Sequence, residues 1–122
     1  MKKNLLLLVI SFGILSFKTP KEDNLQILKT KLQITIRNDL GNLESGAKVI
    51  LYKTQEDYDA SKNPVGEAKL TDAKGKVTFD NLEPIAYFVN AEKDKKNNFG
   101  AGVATARLAP KKLNKITIVI SE

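Results

Sequence analysis

The sequence predicts an all-β fold, a sandwich of about seven antiparallel strands preceded by an amino-terminal signal segment. Three observations carry that prediction. Short runs such as Lys31 to Asn38 and Lys76 to Asp80 alternate apolar and polar residues with the period of a half-buried strand. Gly, Pro, Asn and Asp punctuate the chain at intervals of about ten residues. No helical apolar period is sustained beyond one or two turns.

The 122 residues leave room for one domain and one core. The division expected is a signal peptide or short anchor over 1–20, a linker over 21–30 and the sandwich over 31–122. Neither Cys nor His occurs, which removes disulfides, thiol catalysis, imidazole bases, Ser-His-Asp triads and Cys-rich zinc sites together. The formal charge is +6, yet only Arg37 and Arg107 among the 20 basic residues are arginines. A charge carried by lysines without base-reading arginines reads as a solvated surface, and no nucleic-acid partner is expected.

Lys2 and Lys3 precede Leu5 to Phe17, an uncharged apolar run too short for a membrane span. A basic start, an apolar run and a polar continuation form the layout of a secretory signal. Cleavage is expected between Ser16 and Pro20, or else the segment stays as an anchor and supplies the chain's membrane contact. Phe17 stands where lipid attachment would need a Cys. Both outcomes export the domain, to the periplasm, the outer envelope or the medium.

In chain order, Lys31 to Asn38 turns Leu32, Ile34 and Ile36 to one face, and Asp39-Leu-Gly41-Asn42 closes it as a turn. Gly46 to Thr54 is the second strand, with Ala47, Val49 and Leu51 inward; Ile50 and Tyr52 make its other face apolar, as for a central or covered strand. Gln55 to Asn63 reads as a solvated connection in preference to one helical turn. Pro64 to Thr71 is expected to turn Ala68 and Leu70 inward. Asp72-Ala-Lys-Gly75 is a tight turn, and Val77 and Phe79 are core residues of the strand after it. Leu82 plugs the core end and Pro84 halts the ladder. Ile85 to Glu92 places Tyr87, Val89 and Ala91 on one face. Lys93 to Asn98 is expected as a solvated loop, Phe99 to Leu108 as a weak edge strand, and Leu113 to Glu122 as the closing strand.

Together, Asn38-Asp39-Leu-Gly41, Ala47-Lys-Val-Ile-Leu-Tyr52, Thr71-Asp72-Ala-Lys-Gly75-Lys-Val-Thr-Phe79-Asp-Asn-Leu82 and Tyr87-Phe-Val89 resemble the transthyretin-like (prealbumin-like) sandwich. Its bacterial relatives are the carboxypeptidase regulatory-like and Cna-B-like domains, which share an Ig-like plan. The resemblance spans Lys31 to Ala91 and implies a seven-stranded accessory or binding module. Its relatives that hydrolyse hydroxyisourate use His, which this chain lacks. Cna-B-like domains join a Lys to an Asn through an isopeptide bond promoted by a buried carboxylate. The resemblance would put that crosslink on Lys31, Glu92 and Asn114, although Glu92 falls one residue late in the family's spacing from Tyr87, which shifts it to the opposite face.

Sites in such a sandwich belong on loops at the strand ends, here Asp72 and Lys74 in one turn and Lys93, Asp94, Asn97 and Asn98 in another. Asp72, Asp80, Asn81, Asp94, Asn97 and Asn98 are possible oxygen ligands for Ca²⁺, but without EF-hand spacing plain turn chemistry is the preferred reading. Lys93, Lys95, Lys96, Lys111, Lys112 and Lys115 could form a basic rim for an anionic glycan or lipid surface, but without interleaved exposed aromatics a solubility role is the preferred reading; Tyr52, Tyr58 and Phe99 could line a carbohydrate platform, but lone aromatics more often cap a core. An enzyme would need a carboxylate pair such as Asp80 with Glu83. The reading preferred is a non-enzymatic exported module with no cofactor and no metal, whose partner is an envelope protein or a glycan.

Overall fold

The computed structural model describes residues 29–122, so the expected signal segment and residues 21–28 of the expected linker lie outside it. Seven strands form two packed sheets. The strands are β1 (Lys31–Asn38), β2 (Lys48–Tyr52), β3 (Lys69–Leu70), β4 (Lys76–Phe79), β5 (Phe88–Lys93), β6 (Lys96–Asn97) and β7 (Leu113–Ile120). One helix, α1 (Gln55–Ala60), lies between β2 and β3. The three-stranded sheet has the order β4-β1-β7 and the four-stranded sheet β3-β2-β5-β6.

Alternation decides which side chains meet between the sheets. Leu32, Ile34 and Ile36 of β1 are fully buried, facing Val49 and Leu51 of β2 and Val89 and Ala91 of β5. Val77, Phe79, Ile118 and Ile120 complete the core from β4 and β7, and Leu82 packs against its end. Tyr87, just before β5, is buried as well, and its hydroxyl accepts from the Glu83 N–H and donates to the Glu83 carbonyl, both at 3.0 Å. That bond pair closes the corner made by Leu82 and Pro84.

One pairing departs from the antiparallel expectation. β7 runs parallel to β1 in an unbroken register from Lys31 opposite Leu113 to Asn38 opposite Ile120. Every other strand lies between these two in sequence, so no hairpin forces them antiparallel, and a long connection can return the chain in the same direction.

Four local expectations are corrected. Gln55 to Ala60 is helical, because Thr54 Oγ1 accepts the Asp57 N–H at 3.0 Å and Glu56 and Asp57 sit in the first turn, while Ser61 ends the helix in the left-handed region. Tyr58 of α1 packs on Tyr52 of β2, which is how that strand's second apolar face is covered. Ala68 and Leu70 are exposed, since β3 is a two-residue edge and Thr71 is the buried residue there. Lys93 to Asn98 is a tight hairpin into β6, with Asn98 buried. Phe99 to Leu108 runs along β5 as irregular backbone with a single bridge, Phe88 to Ala104, because its glycines and alanines supply little to bury.

Candidate functional site

At one end of the sandwich the polar side chains converge on Glu44, in the loop between β1 and β2. Its carboxylate is buried and accepts from Lys96 Nζ at 2.8 Å and from Asn38 Nδ2 at 3.0 Å, while Lys93 Nζ lies 3.2 Å from its second oxygen. The backbone of the same residue is also engaged: its N–H donates to the Ile36 carbonyl and its carbonyl accepts from the Thr71 hydroxyl. Thr71 Oγ1 in turn accepts the Ala47 N–H at 2.9 Å. The Lys96 ammonium and the Asn38 amide, with help from Lys93, hold the Glu44 carboxyl at about 2, outweighing the burial that opposes ionisation. Glu44 raises the Lys96 pKa correspondingly.

Lys93 is therefore part of an ion-pair cluster, together with Lys96. Asp94 occupies the hairpin tip with φ of 56°, where a short polar residue tolerates the left-handed region. Asn97 accepts the Phe99 N–H on its side-chain oxygen, and its backbone pairs with Ser121. Asn98 points inward: its side chain accepts the Ala91 N–H and donates to the carbonyls of Val89 and Gly102 at 2.9 and 3.1 Å. At the other predicted loop, Asp72 Oδ1 accepts the N–H groups of Lys74 and Lys76, which lowers its pKa; the Lys74 side chain is exposed. These two loops are built by hydrogen bonds of their own asparagine and aspartate side chains.

The side chains of Lys31, Glu92 and Asn114 engage separate partners. Lys31 Nζ lies 3.6 Å from Asp80, and Glu92 lies 3.5 Å from Lys48. Asn114 braces the turn before β7, donating to the carbonyls of Ala109 and Lys31 and accepting the Ala109 N–H. Asp80 and Glu83 are likewise split, the first on Lys31 and the second on Lys53 at 2.7 Å. Among the described residues no group of three or more acidic side chains gathers as a metal site. The six lysines of the supposed rim divide, with Lys93 and Lys96 on Glu44, Lys95 exposed in the turn between them, and Lys111, Lys112 and Lys115 around the start of β7, at the opposite end of that strand.

Sequence reasoning missed Glu44, whose setting Asn42-Leu-Glu44-Ser-Gly46 reads as an ordinary loop. It grouped Tyr52, Tyr58 and Phe99 as a carbohydrate platform or as core caps. Tyr58 is the hub of an aromatic group on the outer face of the four-stranded sheet, with centroids 5.8 Å from Tyr52, 6.3 Å from Phe88 and 6.3 Å from Phe99. Its hydroxyl oxygen is buried without a hydrogen-bond partner among the described residues, and burial raises its pKa.

No protein-family model and no curated protein matches the chain. Solved structures do. A streptococcal ancillary pilin superimposes with a TM-score of 0.61 at 18% identity, over 79% of this chain and 33% of its own. The backbone protein of pilus 2b from group B streptococcus gives a TM-score of 0.53 at 14% identity, over 77% of this chain and 41% of its own. The chain has the β-sandwich fold of a pilin domain. That agrees with the prealbumin-like and Cna-B-like resemblance in the sequence, and the chain spans well under half the length of either pilin.

Proposed function

We propose that the chain is an exported, non-enzymatic β-sandwich that serves at the bacterial envelope as a structural or binding accessory, its partner an envelope protein or a glycan. The observation that supports this reading most is the shared sandwich with the ancillary pilin. The use of the polar residues agrees with it, because Glu44, Asn98, Asp72 and Asn114 all hold backbone or ion-pair partners that fix the loops in place. Fractionation of cells expressing the carboxy-terminally tagged chain tests the proposal. Recovery from the envelope or the medium, with the amino terminus trimmed or membrane-held, is expected; recovery from the cytosol with Met1 to Phe17 intact and soluble would refute it.

A crosslinked version of the same module has one observation in its favour, since Glu44 binds a lysine and an asparagine through one oxygen, Lys96 and Asn38. The protonation there favours an ion pair. Glu44 is ionised down to about 2, and Lys96 holds its proton more firmly than usual, so the amine has no free electron pair with which to attack an amide. Measured from the amino terminus actually found, the intact mass is expected to equal that of the sequence, whereas a deficit of one ammonia would establish the crosslink.

A further inference from the structure

The outer face of the four-stranded sheet carries a small concave site that the fold does not require. It has a volume of about 180 Å³ and is lined by Tyr58, Asp59, Ser61, Asn90 and Phe99. We propose that this site binds a single neutral sugar ring, with one C–H face of the ring on Phe99 and its hydroxyls on Asp59, Ser61 and Asn90.

Phe99 is held out to solvent by its surroundings. The residue is 66% exposed, although the backbone leading into it is fixed. Asn97 accepts its N–H at 3.0 Å, and the neighbouring Asn98 is anchored in the core by three bonds. Tyr58 meets the Phe99 ring at 88° and supports it from the protein side. An aromatic ring fixed in place and left uncovered loses little conformational freedom when an apolar face stacks on it.

The polar lining complements such a ring. The side chains of Asp59, Ser61 and Asn90 make no hydrogen bond among the described residues, in contrast with the bonded Asn38, Asn97, Asn98 and Asn114 elsewhere. Together they offer a carboxylate acceptor, a hydroxyl that both donates and accepts, and an amide that does both. Neighbouring sugar hydroxyls need this mixture, since each is donor and acceptor at once. The cavity is also below the roughly 300–1,000 Å³ typical of drug-sized ligands, which fits one ring of a glycan.

A small organic cation is the rival ligand for a site with aromatic rings and one carboxylate. The arrangement of the rings disfavours it. Tyr52, Phe88 and Phe99 all gather around Tyr58, so Tyr58 itself fills the space in which a cation caged by several ring faces would sit. Only Phe99 is left with a broadly exposed face.

This site is independent of where the chain is exported, and its test does not depend on localisation. The full chain is labelled with ¹⁵N and titrated separately with hexoses, N-acetylhexosamines, pentoses, deoxyhexoses and tetramethylammonium, at concentrations up to the high millimolar range. At least one sugar is expected to shift the backbone amides of Asn90 and Phe99. Phe99→Ala should weaken that sugar about tenfold, and Phe99→Tyr should restore it. Asn90→Ala should weaken it as well, with unfolding midpoints unchanged in all three variants. No shift with any sugar, shifts that map elsewhere, a response to tetramethylammonium alone, or full binding by Phe99→Ala would each overturn the proposal.

Discussion

Lys96 Nζ donates to Glu44 Oε2 at 2.8 Å, and Asn38 Nδ2 donates to the same oxygen at 3.0 Å. Asn38 ends β1 in one sheet and Lys96 begins β6 in the other, so a single carboxylate ties the two sheets together where the core is open. Burial strengthens each of these charge-assisted bonds and makes the loss of either partner costly.

Glu44→Gln keeps the shape of the side chain but removes the charge that both lysines face. A loss of about 2 kcal/mol in unfolding free energy is expected from urea denaturation. Lys96→Met should cost less, because Lys93 still faces the carboxylate at 3.2 Å.

Asn98 is fully buried and bonds Ala91, Val89 and Gly102. Asn98→Ala leaves three backbone groups without partners and should cost about 3 kcal/mol. Asn98→Asp should cost more, although it is nearly isosteric. Its second oxygen would face the carbonyls of Val89 and Gly102, which can only accept, and a buried charge would have no counter-ion.

Gly75 and Gly41 both have positive φ, at +72° and +88°, but differ in surroundings. A Cβ on Gly75 would lie 2.9 Å from the Ile36 carbonyl oxygen and 3.2 Å from the Glu44 nitrogen, whereas one on Gly41 meets nothing within 4 Å. Gly41→Ala should cost about 1 kcal/mol from backbone strain alone. Gly75→Ala should cost clearly more and also disturb the Glu44 cluster, which the thermal unfolding midpoints of the two variants will show.

Tyr87→Phe keeps the buried ring and removes the hydroxyl that bonds both backbone groups of Glu83. About 1 kcal/mol of stability should be lost. Proteolysis is expected to cut first near Asn81 to Pro84, where the corner loosens.

The strands with clear alternation were legible in the sequence, because burial on one face writes itself into a period of two. β1, β2, β4 and β7 and their inward residues Leu32, Ile34, Ile36, Val49, Leu51, Val77, Phe79 and Ile120 lie where that period puts them. The elements that depend on few residues were not. α1 rests on a cap by Thr54 and on Tyr58 packing against the sheet, and neither is visible in a window dominated by acidic residues. The parallel course of β7 depends on the return path of the chain, which the strand's own residues do not encode.

Asp72 to Gly75 was legible as a turn, whereas Lys93 to Asn98 read as a solvated loop and is a hairpin; the side chains of Asp72, Asn97 and Asn98 have local partners. Asp72 and Asn97 bond backbone groups two residues ahead, a pattern that also makes such residues common in turns without a ligand. Glu44 could not be found by spacing, since its partners Lys93 and Lys96 are about 50 residues away and meet it only after both sheets form. Tyr58 and Phe99 were legible as candidates because large aromatic residues in polar stretches stand out, whereas Asn90, on a strand that reads as packing, did not.

The clasp on Glu44 is tested most directly by the pH dependence of stability. Its carboxyl has an ordinary value of 4.5 in the unfolded chain and about 2 when folded, so the unfolded chain takes up the proton first as pH falls. The stability it contributes is therefore fully present above 4.5 and lost as pH falls towards 2. Asp72 acts in the same direction but is shared by wild type and variant, so it cancels in their difference. Urea denaturation of wild type and Glu44→Gln from neutral pH downward should show a constant gap above 4.5 that narrows through that window and closes near 2. Two curves that stay parallel across the window, or that coincide at neutral pH, would contradict it.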